Sequence, residues 1–266
     1  MHKFFFFQVQ HACAVSVDNA FCIELCNKKL ECGHPCTARC GEPCKSCPAC
    51  AAEIAKFKKD AQKRIDQLKA SLRRKASTES AFLLEELVNS GATKAEFTQV
   101  TDRVEKYIQS NHNWIPNVRT ITKVTNLQLE VKFEKAKSKA FGTNIDQKFH
   151  GTNNEGVRGI IREGFRKPGA PLPGKRLGMY GQGIYFATDS SKSAQAIYTD
   201  GSNKLLLCDV LLGKSMVVEK AQNTLNGDYI RKRGFDSVYA PRGTKSTGGV
   251  DNDEFVIYDQ DQALPR

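Results

Sequence analysis

Gly178-Met179-Tyr180-Gly181-Gln182-Gly183-Ile184-Tyr185-Phe186-Ala187-Thr188-Asp189-Ser190-Ser191-Lys192-Ser193 is the stretch on which the reading of this chain turns. Glycines at 178, 181 and 183 lead directly into Ile184-Tyr185-Phe186-Ala187, which are β-type residues and not the start of a helix. Asp189 then stands as an N-cap for a polar helical turn carrying Ser191, Lys192 and Ser193. A dinucleotide fingerprint needs a third glycine where Phe186 stands and a helix where this strand runs, so a Rossmann phosphate loop is excluded. What the stretch offers is bare backbone, one ring (Tyr185) and one hydroxyl (Ser193) for the same flat ligand.

Two flanking pieces extend this pattern. Upstream, Lys148-Phe149-His150-Gly151-Thr152 reads as a strand end closing on His-Gly; downstream, Asp253-Glu254-Phe255-Val256-Ile257-Tyr258-Asp259 reads as a strand with a carboxylate at its start. The order His-Gly-Thr, then GxGIYFAxxxSKS, then Glu-Phe-Val-Ile-Tyr resembles the catalytic domain of the poly(ADP-ribose) polymerases. These are diphtheria-toxin-like ADP-ribosyltransferases with a His, Tyr, Glu triad. The resemblance runs from about Thr120 to the C-terminus and implies an enzyme that uses NAD as substrate. It assigns catalytic roles to Glu254, His150 and Tyr185. Glu254 would hold the nicotinamide-ribose hydroxyl and orient the acceptor, and His150 the adenosine ribose. Gly151 would bind the carboxamide through its backbone, with Ser193 donating its hydroxyl to the same carboxamide, Tyr185 stacked on the nicotinamide ring, and Thr152 beside the donor. Taken singly, each of these residues has an ordinary explanation as strand end, strand aromatic or polar helix residue. Their order and matching neighbours favour one shared site. Glu254 is compatible with polymer synthesis as well as with transfer of a single unit.

Two departures from the family pattern stand out. The usual second stacking tyrosine, three residues after the serine, is Ala196 here. Tyr198 comes two residues later, about 200° further round a continuous helix, so it is expected to face elsewhere unless the helix has ended, and donor binding to be weakened. The chain also ends at Leu264-Pro265-Arg266 where the family continues into another strand, which reads as C-terminal truncation with one sheet edge left unpaired.

Composition sets the frame. The chain has 266 residues with a net charge of +11, enough for one or two domains and suited to anionic partners. Its longest apolar run, Phe4 to Phe7, is too short to span a bilayer, and MHKFFFFQVQ lacks the core of a signal peptide. The expectation is an intracellular protein, nuclear or cytoplasmic, without membrane contact.

Nine of the ten cysteines fall in the first fifty residues, and the tenth, Cys208, sits in the apolar strand LLLCDVLL. Without a secretory signal such crowding reads as metal binding before disulfides. Cys22, Cys26, Cys32, His34, Cys36, Cys40, Cys44, Cys47 and Cys50 suit two structural zinc ions with one group to spare. So few apolar residues lie here that metal ligation must supply the folding free energy. The Cys-Gly-His-Pro-Cys and Cys-Gly-Glu-Pro-Cys pattern resembles the cysteine-rich fingers named after the X-box-binding nuclear factor. Those fingers occur in nucleic-acid-associated proteins and some ubiquitin ligases.

Three domains follow: a zinc-binding segment over 1–50, a helical spacer over 51–116, and the transferase domain over 117–266. In the spacer, Ile54, Phe57, Ala61, Ile65, Leu68 and Leu72 recur at helical spacing, with Lys56, Lys58, Lys59, Lys63, Arg64, Lys69, Arg73 and Arg74 on the other faces. A basic face of this kind is open to RNA or DNA, or simply to solvent. A second helix is expected over Glu79 to Asn89, and a third after the capping box Thr93-x-x-Glu96. Ser110 to Pro116 reads as a linker. The last domain, with strands near 118–129, 205–212, 236–239 and 254–258 and too few helices for βαβ units, is α+β with a split antiparallel sheet. The function expected is ADP-ribose transfer to protein acceptors, with a zinc-finger nucleic-acid adaptor carrying an inactive transferase fold as the alternative.

Overall fold

A computed structural model describes residues 26, 28–30, 32–38, 47–75, 82–109, 111–167 and 178–266. Cys22, Cys40 and Cys44, three of the expected zinc ligands, lie outside them. The chain divides into two compact units, residues 1–56 and 57–266.

In the first unit a tight turn at Gly33, whose φ of 80° suits glycine, brings Lys29 into a bridge with Pro35. Helix α1 (Pro48–Lys75) follows. In the second unit the stripe read from the sequence is buried: Ala61, Ile65 and Leu68 are all 3 % exposed or less. Phe57 packs against Leu129, Phe133 and Leu264, and Arg64 pairs with Glu130 at 3.2 Å. Burying a leucine or phenylalanine is worth about 1.5–3 kcal/mol, so this stripe, and not propensity, holds the helix in place.

The second expected helix is not formed. Phe82–Leu87 is strand β1, paired antiparallel with β2 (Ile121–Asn126) from Phe82↔Asn126 to Leu87↔Ile121. FLLEEL has helical composition, but a stretch so short gains little from helix formation. Pairing with β2 supplies a ladder, and burial of Leu87 anchors it. Helix α2 (Lys94–Lys106) forms as expected, without the capping box. The Thr93 hydroxyl turns back to the Val88 backbone N–H and carbonyl, both at 3.0 Å.

After α3 (Leu127–Ser138), capped by Asn126, come β3 (Ile145–Gly151) and α4 (Asn154–Glu163), capped by Asn153 and stopped at Gly164. Then follow β4 (Ile184–Ala187), the single turns α5 (Ser190–Ser193) and α6 (Ala196–Thr199), β5 (Leu205–Leu211), β6 (Ser215–Val217), α7 (Gly227–Lys232), β7 (Ser237–Ala240), β8 (Glu254–Ile257) and β9 (Ala263–Pro265). The seven strands β3 to β9 form one sheet in the order β6-β7-β8-β4-β3-β5-β9, antiparallel except for β6 with β7. The fold is α+β, as the sequence implied. Strand alternation separates two cores: Ile257 joins Phe186, Val210 and Phe165, while Val256 joins Tyr180, Val238 and Ile230.

The sheet splits between β3 and β4. These strands share the single register pair Phe149↔Ala187, against seven pairs between β3 and β5. At the C-terminal end β9 pairs with β5, from Val210↔Ala263 to Cys208↔Pro265, and is itself the outermost strand; Arg266 Nε bonds Asp209 Oδ2 at 2.6 Å. Proline at the outer strand costs no ladder bond there. No helix among the described residues is long and apolar enough to cross a membrane.

Candidate active site

The split in the sheet brings His150 to Tyr185, and Gly151 packs against Ser193, while Gly151, Ser193 and Glu254 do not line the cleft that opens there. Beyond Phe149↔Ala187 the strands diverge, and His150 bridges the gap through Nδ1, 2.9 Å from the Tyr185 carbonyl. Burial lowers the His150 pKa below its ordinary value, and the carbonyl only partly offsets this. The ring is therefore neutral. A carbonyl can only accept, so the proton sits on Nδ1 and Nε2 is left as an acceptor, an assignment made from the hydrogen-bond partner. Phe165 and Phe186 hold the imidazole, with ring centroids at 5.1 and 5.5 Å. A cleft of about 870 Å³ opens beside it, lined by His150, Thr152, Asn153, Gly159, Phe165 and Tyr185. That is the size of a cavity for a ligand of several hundred daltons.

Tyr185 is braced at its far end. Its hydroxyl accepts from the Tyr180 N–H at 3.0 Å and donates to the Gly181 carbonyl at 2.8 Å. A Cβ on Gly178 would lie 2.3 Å from that hydroxyl, so the glycine is required for the ring to stand where it does. Burial raises the Tyr185 pKa, with a further rise from the Glu254 charge. Gly151 is equally constrained: a Cβ there would lie 2.0 Å from the Ser193 carbonyl oxygen and 3.2 Å from Tyr198 Cβ. The expected donor role of Ser193 is corrected: the side chain is buried and its hydroxyl donates to the Phe149 carbonyl at 3.1 Å, leaving its lone pairs as an acceptor. The Thr152 side chain packs on Gly156, and its carbonyl accepts from Ser202 Oγ at 2.7 Å.

Glu254 begins β8, in register with Ala187 of β4, so it stands on the strand next to Tyr185. Its carboxylate is 3.2 Å from Lys192 Nζ, and both side chains are mostly buried. Burial by itself lowers the Lys192 pKa, but a bond to the Tyr198 hydroxyl at 2.7 Å and the Glu254 charge reverse the sign. Lys192 carries no role in the sequence reading, because nothing local signals a partner so far along the chain.

Tyr198 meets the exception, because its helix has ended. The helix ends at Ser193, Gln195 takes an extended ψ of 142°, and a new turn starts at Ala196. That break resets the angular count and brings Tyr198 beside Gly151 and over Lys192, whose Nζ is 4.9 Å from the ring centroid. Asp189 is a second correction: it precedes α5 but makes no side-chain cap bond, and its carboxylate goes instead to Arg242 at 3.3 Å. The start of α5 is held from the segment read as spacer and linker. Ser190 N–H and Oγ bond the Tyr107 carbonyl at 2.7 and 3.0 Å, Gln109 N–H bonds Ser191 Oγ, and His112 meets Gln195 at 3.0 Å.

In the first unit, ligand atoms of Cys32, His34, Cys47 and Cys50 all lie within 4.8 Å of one another. Cys50 Sγ is 3.6 Å from His34 Nδ1. The Cys50 thiol is pushed up to about 11 by its hydrogen bond with Cys32 and by burial, while the Cys50 backbone N–H lowers Cys47. Three thiols and one imidazole this close together could hold a metal ion. Of the nine expected ligands four gather here. Cys26 and Cys36 stand outside the group, and Cys22, Cys40 and Cys44 are beyond the described residues. The described cysteines form no disulfide.

Comparison with known proteins bears on the second unit. The family model "Poly(ADP-ribose) polymerase catalytic domain" matches residues 94–266. The protein mono-ADP-ribosyltransferase PARP4 of Mus musculus is 34 % identical over 127 residues, 45 % of this chain and 6 % of that protein. Poly [ADP-ribose] polymerase 2-A of Oryza sativa is 31 % identical over 158 residues, 57 % of this chain and 22 % of the relative. Poly [ADP-ribose] polymerase 1 of Danio rerio is 29 % identical over 156 residues, 55 % of this chain and 15 % of the relative. The matches thus span less than a quarter of each relative's length.

Proposed function

The chain belongs to the poly(ADP-ribose) polymerase catalytic-domain family, and from that premise we propose that it is an NAD-dependent ADP-ribosyltransferase acting on protein acceptors. The observation that carries this reading is the cleft where β3 parts from β4. His150 bonds the Tyr185 carbonyl there, and Glu254, tied to Lys192, stands on the strand next to Tyr185.

In this reading NAD lies across the split. The neutral His150 accepts an adenosine-ribose hydroxyl proton at Nε2, a role its Nδ1 bond to Tyr185 fixes. Gly151 and Ser193 hold the carboxamide, Gly151 through its backbone and Ser193 through lone pairs that accept an amide N–H. The ring lies against Tyr185, whose position is set by its two hydroxyl bonds. Tyr198, beside Gly151, supplies the opposite wall that Ala196 leaves out. The Ser202 bond to Thr152 O fixes the chain just past Gly151.

Breaking the bond between ribose and nicotinamide builds positive charge on the ribose, as in glycoside hydrolysis. A carboxylate on the 2′-hydroxyl stabilises that charge more in the transition state than in the ground state, which is what lowers the barrier. Glu254 is placed for this, and Lys192 keeps it oriented at 3.2 Å. Nicotinamide leaves as a neutral amide, and the ribose C1′ is taken by an acceptor nucleophile. Transfer of one unit or of many are both compatible with Glu254. Incubation with NAD labelled in its adenine moiety tests the reading: covalent label on protein with equimolar nicotinamide release supports it, and a folded protein that binds NAD without releasing nicotinamide refutes it.

We further assign zinc to Cys32, His34, Cys47 and Cys50, where it would act as a structural cross-link, as in the X-box nuclear-factor fingers. Substituting Cys47→Ser is expected to remove one zinc per chain by metal analysis, since structural sites bind with about 10–16 kcal/mol and depend on all four ligands. Unchanged zinc content would contradict the assignment. The exposed basic face of α1 supports an anionic partner such as RNA or DNA for this targeting half of the chain.

A further inference from the structure

Glu254 is the last residue in both of its ladders. It pairs with Ala187 on β4 and with Ala240 on β7, and neither register continues beyond it. A carboxylate at a strand end needs something past the end to stop fraying. Arg242 lies two residues past Ala240, Asp253 one residue before Glu254, and Asp189 two residues past Ala187. All three meet. Arg242 Nε donates to Asp253 Oδ2 at 2.7 Å, its backbone N–H donates to Asp253 Oδ1 at 3.0 Å, and Nη2 donates to Asp189 Oδ2 at 3.3 Å. Asp253 Oδ1 also accepts from the Tyr239 hydroxyl at 2.9 Å, and the Tyr239 ring stacks on Phe255 at 4.9 Å, so Phe255, next to Glu254, is held too.

We propose that Arg242 is a positioning residue for Glu254: one guanidinium staples the ends of β4, β7 and β8 where the ladders stop. Through Asp189 it also fixes the entry to α5, which carries Lys192, the cation that faces Glu254. A rigid fork is needed, because the two carboxylates lie just beyond the ends of different strands. Both are mostly buried, with side chains 7 % and 14 % exposed, so neither is solvated enough to stand alone without its partner. Burial by itself would raise the Asp253 carboxyl, and the Arg242 bonds more than reverse this. Arg242 itself is half exposed and spends its bonds on the two aspartates, which is why its effect on Glu254 is indirect.

The proposal rests on the transferase reading, and the test separates the two. In wild type, Arg242→Ala is expected to lower kcat for nicotinamide release by about 10²-fold with KM for NAD changed less than about twofold, since displacement of about 1 Å costs that much. Arg242→Lys reaches one carboxylate only and restores part of the loss. In a Glu254→Gln background Arg242→Ala adds less than about twofold, because two residues acting through one group are not additive. An unchanged kcat, a KM that rises in step with the fall in kcat, or a full further loss in the Glu254→Gln background overturns it. If the wild-type protein releases no nicotinamide, the transferase reading fails and hydrogen exchange decides the staple. Amides of 253–256 and 189–193 then exchange faster in Arg242→Ala if it stands, and at unchanged rates if it does not.

Discussion

Replacing Glu254 by Gln is expected to lower the rate of nicotinamide release by about 10²- to 10³-fold, the usual cost of removing one group aimed at developing charge. The amide keeps the size and shape of the acid but loses the charge that opposes the forming oxocarbenium ion. KM for NAD should move little, because His150, Gly151 and Ser193 hold the donor in the ground state and none of them contacts Glu254 through a hydrogen bond. The change also removes the charge facing Lys192, whose side chain is only 16 % exposed and whose other bond is to the Tyr198 hydroxyl. The Gln carbonyl oxygen can still accept from Lys192 Nζ, which limits the stability cost, so the variant should fold and bind NAD. Steady-state kinetics with product analysis check this: a fall in kcat at constant KM is the predicted pattern. A rate within about twofold of wild type would remove Glu254 from the chemistry.

Gly151→Ala should act through a different term. An alanine Cβ at this position would lie 2.0 Å from the Ser193 carbonyl oxygen and 3.1 Å from its carbonyl carbon. A non-bonded carbon and oxygen approach to about 3.3 Å, so either β3 or the end of α5 must move by more than an ångström. Both neighbours are backbone and neither can rotate away. Overpacking of this kind costs about 1–3 kcal/mol. For a unit of this size about 2 kcal/mol lowers Tm by about 4–8 °C. Because the shift falls between Gly151 and Ser193, where the carboxamide would be held, NAD affinity should drop by more than about tenfold, beyond the direct cost to folding. Thermal unfolding and NAD titration of the same preparation check both arms. Normal Tm with normal NAD binding would show that the close approach is not a constraint. The two variants thus separate a term in kcat from a term in binding and stability.

Much of this arrangement is legible in the residues, and the part that is not has physical reasons. Ile184–Ala187 and Glu254–Ile257 carry β-type residues in short runs, and both form strands. Asn153 before α4 and Gly164 after it mark a helix by local rules. Local rules fail where a distant partner decides. Phe82–Leu87 becomes a strand only because Ile121–Asn126 stands open to pair with it. Asp189 has the right type and place for a cap but spends its carboxylate on Arg242. Tyr198 is misplaced by any count along a continuous helix, because the helix ends at Ser193 and the extended backbone of Gln195 intervenes before the next turn. Lys192 and Arg242 are ordinary surface cations in the sequence, and their meaning comes from carboxylates that the sheet delivers.

The central claim is that one nicotinamide riboside is held jointly by Gly151, Ser193, Tyr185 and Glu254, with His150 on the adenosine side. A crystal structure of the chain with a non-hydrolysable NAD analogue tests it most directly. The account predicts the carboxamide on the Gly151 backbone, the ring between Tyr185 and Tyr198, and the Glu254 carboxylate within about 3 Å of the ribose 2′-hydroxyl. An analogue bound elsewhere, or a Glu254 carboxylate turned away from that hydroxyl, would contradict it.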